Sequence, residues 1–248
     1  MSDTRDAVWK NQSVVNRYLE GIRGAIPLAA EQIDLLLRLL AFERPRELGC
    51  FLDLGCGDGV LARAVLDRFP ASSGVLLDFS EPMLARAREL APASARVAFI
   101  NADYGRAAWI QSLPAPGRFD AIVSGFSIHH QPDERKRELY GELFELLNPG
   151  GIFLNLEHVS SSSSWGRDVF DEYFVDALHA AHCRAREIVP RSMIAEQYHG
   201  RTDEQANILA PVETQCGWLR ELGFERVDCY FKVLELALFG GVKPRGAG

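Results

Sequence analysis

The chain has 248 residues, enough for one α/β domain with an elaboration and a large core. Its 47% hydrophobic and 25% charged residues suit a soluble globular enzyme, and a net charge of −7 argues against a general grip on phosphate backbones. No 18-residue apolar run is present, the opening Met1–Asp6 is too polar for a signal peptide, and five scattered cysteines without a C-x-x-C pair argue against a disulfide framework or a thiolate zinc site. The cytoplasm is the expected compartment, and each cysteine is expected to be a small buried hydrophobe.

Taken in order, Ala7 to Ile22 carries apolar residues at helical spacing until Gly21 and Gly24 break it. Pro27 then opens a second helix with Leu28, Ile33, Leu36, Leu37 and Leu40 as its stripe, so residues 1–47 read as an N-terminal helical lid. Phe51 to Gly59 is a strand running into a glycine turn, and Val60 to Leu66 starts a helix. That is the first unit of a doubly wound sheet, with ligand expected over the carboxyl end of the strand. The glycines at 55, 57 and 59 let backbone approach a ligand closely. Their G-x-G-x-G spacing differs from the G-x-G-x-x-G of dinucleotide binders. Asp53 would repel a pyrophosphate but suits an ammonium group, so an amino-acid-bearing nucleoside fits better than NAD or ATP.

Val75 to Asp78 is a second strand ending in an acid about 20 residues beyond the turn, where ribose hydroxyls are commonly held. Ser80, Glu81 and Pro82 start the next helix. Val97 to Asp103 is a third strand ending in an acid. Phe119 to Ser124 is a fourth, followed by a loop to His130, a helix over 132–147, the turn Asn148-Pro149-Gly150-Gly151 and a strand from Ile152 to Glu157. Ser160 to Ser164 is a linker, and Trp165, Val169, Phe170, Tyr173, Phe174, Ala177, Leu178 and Ala181 then recur at helical spacing. A core helix is expected over Val212 to Leu222, with last strands at Phe224 to Tyr230 and Val233 to Phe239. The predicted fold is α/β: a doubly wound, mostly parallel, seven-stranded Rossmann-like sheet. Its core spans 48–159, a helical cap insertion 160–209, and the last helix and strands 210–243.

The wording from Leu52 to Gly59, the run Asp78 to Ala87, the histidine-bearing loop after the fourth strand and the Pro-Gly-Gly turn resemble the class I S-adenosylmethionine (AdoMet)-dependent methyltransferases. The resemblance spans 48–159 and 211–243; Asn148 stands where that family often has a basic residue. It implies AdoMet as cofactor. Asp53 would meet the ammonium group, Arg23 the carboxylate, and Gly55, Cys56 and Gly57 the cofactor's approach through their backbone. Asp78 would meet the ribose, Phe79 and Met83 would flank ribose and adenine, and Asp103 would accept from the adenine amine with Tyr104 beside it. Ser124 and Phe126, after the fourth strand, complete the set.

The methyl group of a sulfonium is already activated, so the protein must mostly align the acceptor and exclude water. A base matters only where the acceptor loses a proton, and His130, Glu157 and His158 are the expected catalytic groups. His129, Tyr198 and His199 are further candidates, while His179, His182 and His199 are more often structural. From the cap, Tyr173, Arg191 and Tyr198, with Glu196, would hold a small-molecule acceptor, Arg191 serving an anionic one. Adjacent histidines cannot easily share one ion, so no metal is expected.

Arg23 to Pro27 and the last strands also resemble the carboxy-AdoMet synthases of tRNA wobble modification. The resemblance leaves other AdoMet reactions open: carboxy-AdoMet formation, intramolecular cyclisation or aminocarboxypropyl transfer. A non-catalytic AdoMet-binding partner subunit is a further alternative, against which the long aromatic insertion argues. The expectation is methyl transfer to a small molecule by a monomer or homodimer, with no general nucleic-acid binding and no membrane partner.

Overall fold

The computed structural model describes residues 23–44, 47–114, 117–201 and 203–246. The expected helix over 7–22 lies outside the described residues, as does the side chain of Arg23. After a helical turn at Arg23–Ala25 come α1 (Ala29–Glu43), β1 (Cys50–Leu54), α2 (Val60–Arg68), β2 (Ser73–Asp78), α3 (Glu81–Leu90) and β3 (Arg96–Asn101). A 3-10 turn at Ala107–Ser112 leads to β4 (Phe119–Gly125), a second at Ile128–His130 to α4 (Asp133–Leu146), and then comes β5 (Leu147–His158). The chain continues through α5 (Ser164–Arg184), α6 (Arg191–His199), a 3-10 turn (Asp203–Ala206), α7 (Val212–Glu221), β6 (Glu225–Val233) and β7 (Leu236–Val242).

The seven strands form one sheet in the order β3-β2-β1-β4-β5-β7-β6. Pairings among the first five are parallel, and β7 runs antiparallel to both β5 and β6. This is the doubly wound, mostly parallel arrangement the sequence predicts. Helices cover both faces, so the central strands are apolar almost throughout rather than alternating. Leu52, Leu54, Phe119 and Ile122 pack on α4 and α7, while Phe51, Ala121 and Val123 pack on α1, α2 and α3. The strand order reverses at β1 and β4, and ligands of such sheets sit outside the carboxyl ends of the strands at that switch point.

Some boundaries move. β5 begins at Leu147 rather than after the glycine pair, because Gly150 N–H donates to the Lys243 carbonyl (2.9 Å) and Lys243 N–H to that of Gly151 (2.8 Å). The glycine turn therefore pairs with the end of β7. The last turn falls at Leu234 and Glu235, with Leu234 left-handed at φ 53°. The cysteines divide: Cys56 and Cys216 are buried, Cys50 and Cys229 partly so, and Cys183 is exposed on α5, whose solvent face it occupies.

Residues 164–199 form two helices rather than an extended crossover, and they pack a small core of their own. Phe170, Phe174 and Val175 of α5 meet Ile194 and Tyr198 of α6 and Leu236 of β7. Glu235 ties this layer to the sheet. Its carboxylate accepts from His158 Nε2 (2.9 Å) and Ser161 N–H (3.0 Å), and its carbonyl accepts from Val159 N–H (2.8 Å). Burial pushes this carboxyl up, but the bonds from His158 and Ser161 outweigh it and hold the group below the usual range. Lys136 of α4 anchors the strand-free stretch before α7, reaching the Ile208 carbonyl and Asp133 Oδ1. No helix among the described residues is long and apolar enough to cross a membrane.

Candidate active site

A cavity of about 1070 Å³ opens over the carboxyl ends of β1, β2 and β4 and continues beneath α5 and α6. At one end lie Asp53, Gly55, Cys56, Gly57, Asp78, Phe79 and Met83; at the other, Phe170, Phe174, Leu178, Tyr198 and Arg201. His129, His130 and His158 line it between the two. Ile26, Ala29, Gln32 and Ile33 close one side, so the segment ahead of β1 reaches the cavity.

The cradle end follows from local backbone chemistry. Asp53 Oδ2 accepts from Ala62 N–H (3.0 Å) at the start of α2, which fixes the glycine turn on β1. Asp78 accepts from Gly57 N–H and Ser80 N–H, each at 2.8 Å, and so ties the turn to the start of α3. Burial raises the Asp78 carboxyl from 3.8 to about 6, against the bonds from Ser80, Gly57 and Phe79 that favour its charge. Gly57 has φ 55°, and a Cβ there would meet only Met83 Sδ at 4.0 Å, so the space in front of it is open. Gly55, at φ 66°, is different: a Cβ would fall 1.9 Å from Ser127 Oγ, so its glycine serves packing against the loop after β4. An adenosyl group with an amino-acid arm fits this cradle, which offers buried carboxylates, an open glycine and the apolar side chains of Phe79 and Met83.

The histidine end of the cavity is built on Glu157, which is fully buried on β5. It accepts from His129 N–H (3.1 Å) and His158 N–H (2.9 Å), and its Oε1 lies 2.5 Å from His129 Nδ1. Burial raises its carboxyl from 4.5 to about 7. Burial also lowers His129 well below its ordinary value, helped by the charges of His158 and Lys136 and opposed by a bond with Asn207. With Nδ1 on Glu157, His129 has Nε2 left for Asn207 or for a ligand that displaces it. The rings of His129 and His130 are 4.0 Å apart, and those of His129 and His158 5.8 Å. His130 Nδ1 lies 3.2 Å from the Ala206 carbonyl. Among the described residues, no group of three or more His, Cys, Asp or Glu is placed to hold a metal ion.

The structure does not gather every expected residue at the cavity. Asp103 sits on the surface, accepting from Gly105 N–H (2.8 Å) and pairing with Arg106 (3.4 Å), because the chain turns there rather than reaching over the cradle. Tyr104 is buried beneath the site, its hydroxyl on the Ser127 carbonyl (2.9 Å). The Ser124 hydroxyl is consumed inside the sheet by the Leu54 carbonyl (2.8 Å). Glu157 stands behind His129 rather than on the cavity wall. Tyr173 faces away from the lining, and Arg191 is held on the outer side by Glu172 and Asp176, each at 2.6 Å. Phe126 lines the cavity in a left-handed conformation, φ 51°. Sequence reasoning passed over Asp58, Ser127, Asn207 and Arg201, which line the cavity without a periodicity or motif that marks them.

Residues 51–151 match the family described as a methyltransferase domain, and this stretch resembles the class I AdoMet-dependent methyltransferases. Among its relatives is the demethylmenaquinone methyltransferase of Thermus thermophilus, 37% identical over 143 residues, which are 52% of this chain and 61% of that protein. The carboxy-S-adenosyl-L-methionine synthase of Chromohalobacter salexigens is 28% identical over 232 residues, 92% of this chain and 80% of that protein. In fold, the chain is similar to an O-methyltransferase family protein from Burkholderia thailandensis, with a TM-score of 0.66 at 19% identity, covering 100% of this chain and 65% of that one.

Proposed function

We propose that this chain binds AdoMet in the Asp53–Asp78 cradle and transfers its methyl group to a small-molecule acceptor held under α5 and α6. The observation that carries this reading is the single cavity of about 1070 Å³ shared by cradle, histidines and cap. A pocket for one drug-sized ligand occupies about 300–1,000 Å³, so this volume suits a nucleoside with a second molecule beside it.

When bound, AdoMet supplies a methyl group on a positively charged sulfur. The chain's own residues do the rest. Asp78 accepts from ribose hydroxyls, Asp53 faces the ammonium group, and Phe79 and Met83 flank the nucleoside. The aromatic residues of the cap exclude water and orient the acceptor. Where the acceptor must lose a proton, His129 Nε2 takes it, with Glu157 holding the imidazole in the required tautomer through Nδ1. His130 and His158 then flank the base rather than replace it.

Calorimetry with AdoMet and S-adenosylhomocysteine, followed by mass analysis of reactions with AdoMet and a small-molecule acceptor library, tests the proposal. Binding of both nucleosides and formation of S-adenosylhomocysteine with a methylated acceptor are expected. Binding of NADH with neither nucleoside bound would overturn it. A second reading has its own support: the carboxy-AdoMet synthase aligns over 92% of this chain, whereas the Thermus methyltransferase aligns over 52%. Under that reading the same mass analysis, with a carboxylic acid in the library that gives up its carboxyl group as CO2, returns AdoMet enlarged by one carboxyl group, without S-adenosylhomocysteine.

A further inference from the structure

Among the described residues lining the cavity, Arg201 is the only arginine or lysine. Its guanidinium carbon lies 3.7 Å from the centroid of the Tyr198 ring, and Nη1 donates to the Tyr198 carbonyl at 2.6 Å. Among the described residues no carboxylate pairs with it, in contrast to Arg191, which two carboxylates occupy. A guanidinium laid flat on an aromatic ring keeps its edge donors free for a planar bidentate partner.

From Arg201 a continuous aromatic wall runs inward. The rings of Tyr198 and Phe174 stack at 5.5 Å and 29°, Phe174 meets Phe170 at 5.6 Å, and Phe170 meets His158 at 5.2 Å. His158 in turn lies 5.8 Å from His129. A cation therefore stands at one end of an apolar aromatic wall whose successive rings are inclined by 29°, 48° and 38°, with Glu196 also on the lining, and imidazoles stand at the other end.

We infer that the acceptor is a planar aromatic or conjugated carboxylic acid: its carboxylate meets Arg201, its flat body lies against Phe174 and Phe170, and its opposite end faces His129. This rests on the cap end of the cavity being the acceptor site. The cationic anchor moves from Arg191, where sequence alone would put it, to Arg201 ten residues on. Arg191 has a structural task instead, holding α6 against α5.

The test compares benzoate with benzamide, which have nearly the same shape and differ by one charge, on protein loaded with S-adenosylhomocysteine. The wild type is expected to bind benzoate at least about tenfold more tightly than benzamide, the discrimination of one charge-assisted bidentate contact. Arg201→Met abolishes the preference, Arg201→Lys retains part of it, and all three proteins bind S-adenosylhomocysteine equally. Equal affinity for the two probes in the wild type overturns the inference, and that comparison stands even if Arg201→Met fails to fold. A preference that survives Arg201→Met overturns it as well. Failure of the wild type to bind S-adenosylhomocysteine would count against the AdoMet reading alone, because the two probes can still be compared on the free protein.

Discussion

Asp78 offers a measurement in which folding and ligand binding respond to pH with opposite sign. In the free protein its carboxyl stands at about 6 rather than 3.8, chiefly through burial. A difference of two units or so amounts to about 3 kcal/mol between the two protonation states. Because the folded value is raised, this contribution to stability is fully present below 3.8 and is lost as pH rises through about 6. A nucleoside donating ribose hydroxyls needs the ionised form, so its binding draws the value back down. The affinity for S-adenosylhomocysteine should therefore be level near neutrality and fall by up to about tenfold per pH unit below about pH 6. Asp78→Asn removes the buried charge but leaves either Gly57 N–H or Ser80 N–H without its present acceptor, a loss of about 1–3 kcal/mol. The two effects offset, so the thermal midpoint of the variant near neutral pH should stay close to the wild type. Its affinity should nevertheless drop roughly tenfold to a hundredfold, equivalent to about 1.5–3 kcal/mol, and its low-pH slope should vanish. Calorimetry across the pH range, on both proteins, reads all three quantities. Equal affinity at low and neutral pH in the wild type, or unaltered affinity in Asp78→Asn, would refute the assignment of Asp78 to the ligand.

Glu157→Gln should lower acceptor turnover about 10²-fold while leaving S-adenosylhomocysteine affinity unchanged, and should flatten the acid limb of the wild-type rate profile near pH 7; turnover equal to the wild type would remove Glu157 from the proton path. Gly55→Ala should destabilise the fold by about 1–3 kcal/mol, since the new Cβ would meet Ser127 Oγ at 1.9 Å from a left-handed backbone; thermal unfolding checks this, and an unshifted midpoint would contradict the packing argument.

The sheet was legible because apolar runs, glycine turns and capped helix starts repeat at the spacing of a βα array. Ser80 illustrates this: its hydroxyl accepts from Met83 N–H at 3.5 Å, with Pro82 early in α3, as the sequence implies. Asp53 and Asp78 were legible as cavity residues for the same reason, since strand ends set the ligand edge. Asp103 was less so, because β3 stops at Asn101 and the two residues beyond it turn outward. The choice between His129 and His130 depends on the phase of one 3-10 turn, Ile128–His130, which no periodicity announces. Which cap arginine faces inward is equally hidden: Arg191 and Arg201 flank α6, and only the packed position of α5 carboxylates Glu172 and Asp176 separates them. The turn at Leu234 and Glu235 carries no glycine, so the first of the last two strands was ended, and the second placed, three residues early.

The contact between Glu235 and the end of β5 sets an order of assembly. His158 and Glu235 are 77 residues apart in sequence, and Ser161, at the threshold of the cap, is 74 from the same carboxylate. A ribosome must therefore finish β6 and reach the hairpin turn before the roof of the cavity has anything to hang from. Until then α5 and α6 can form as helices but cannot be registered over the histidines, because Leu236 is also part of their core. The nucleoside cradle, built from residues 53–83, depends on much shorter loops and can close first. A chain interrupted within β6, short of Glu235, would then keep the residues of the cradle while lacking the tie that holds α5 and α6 over the cavity.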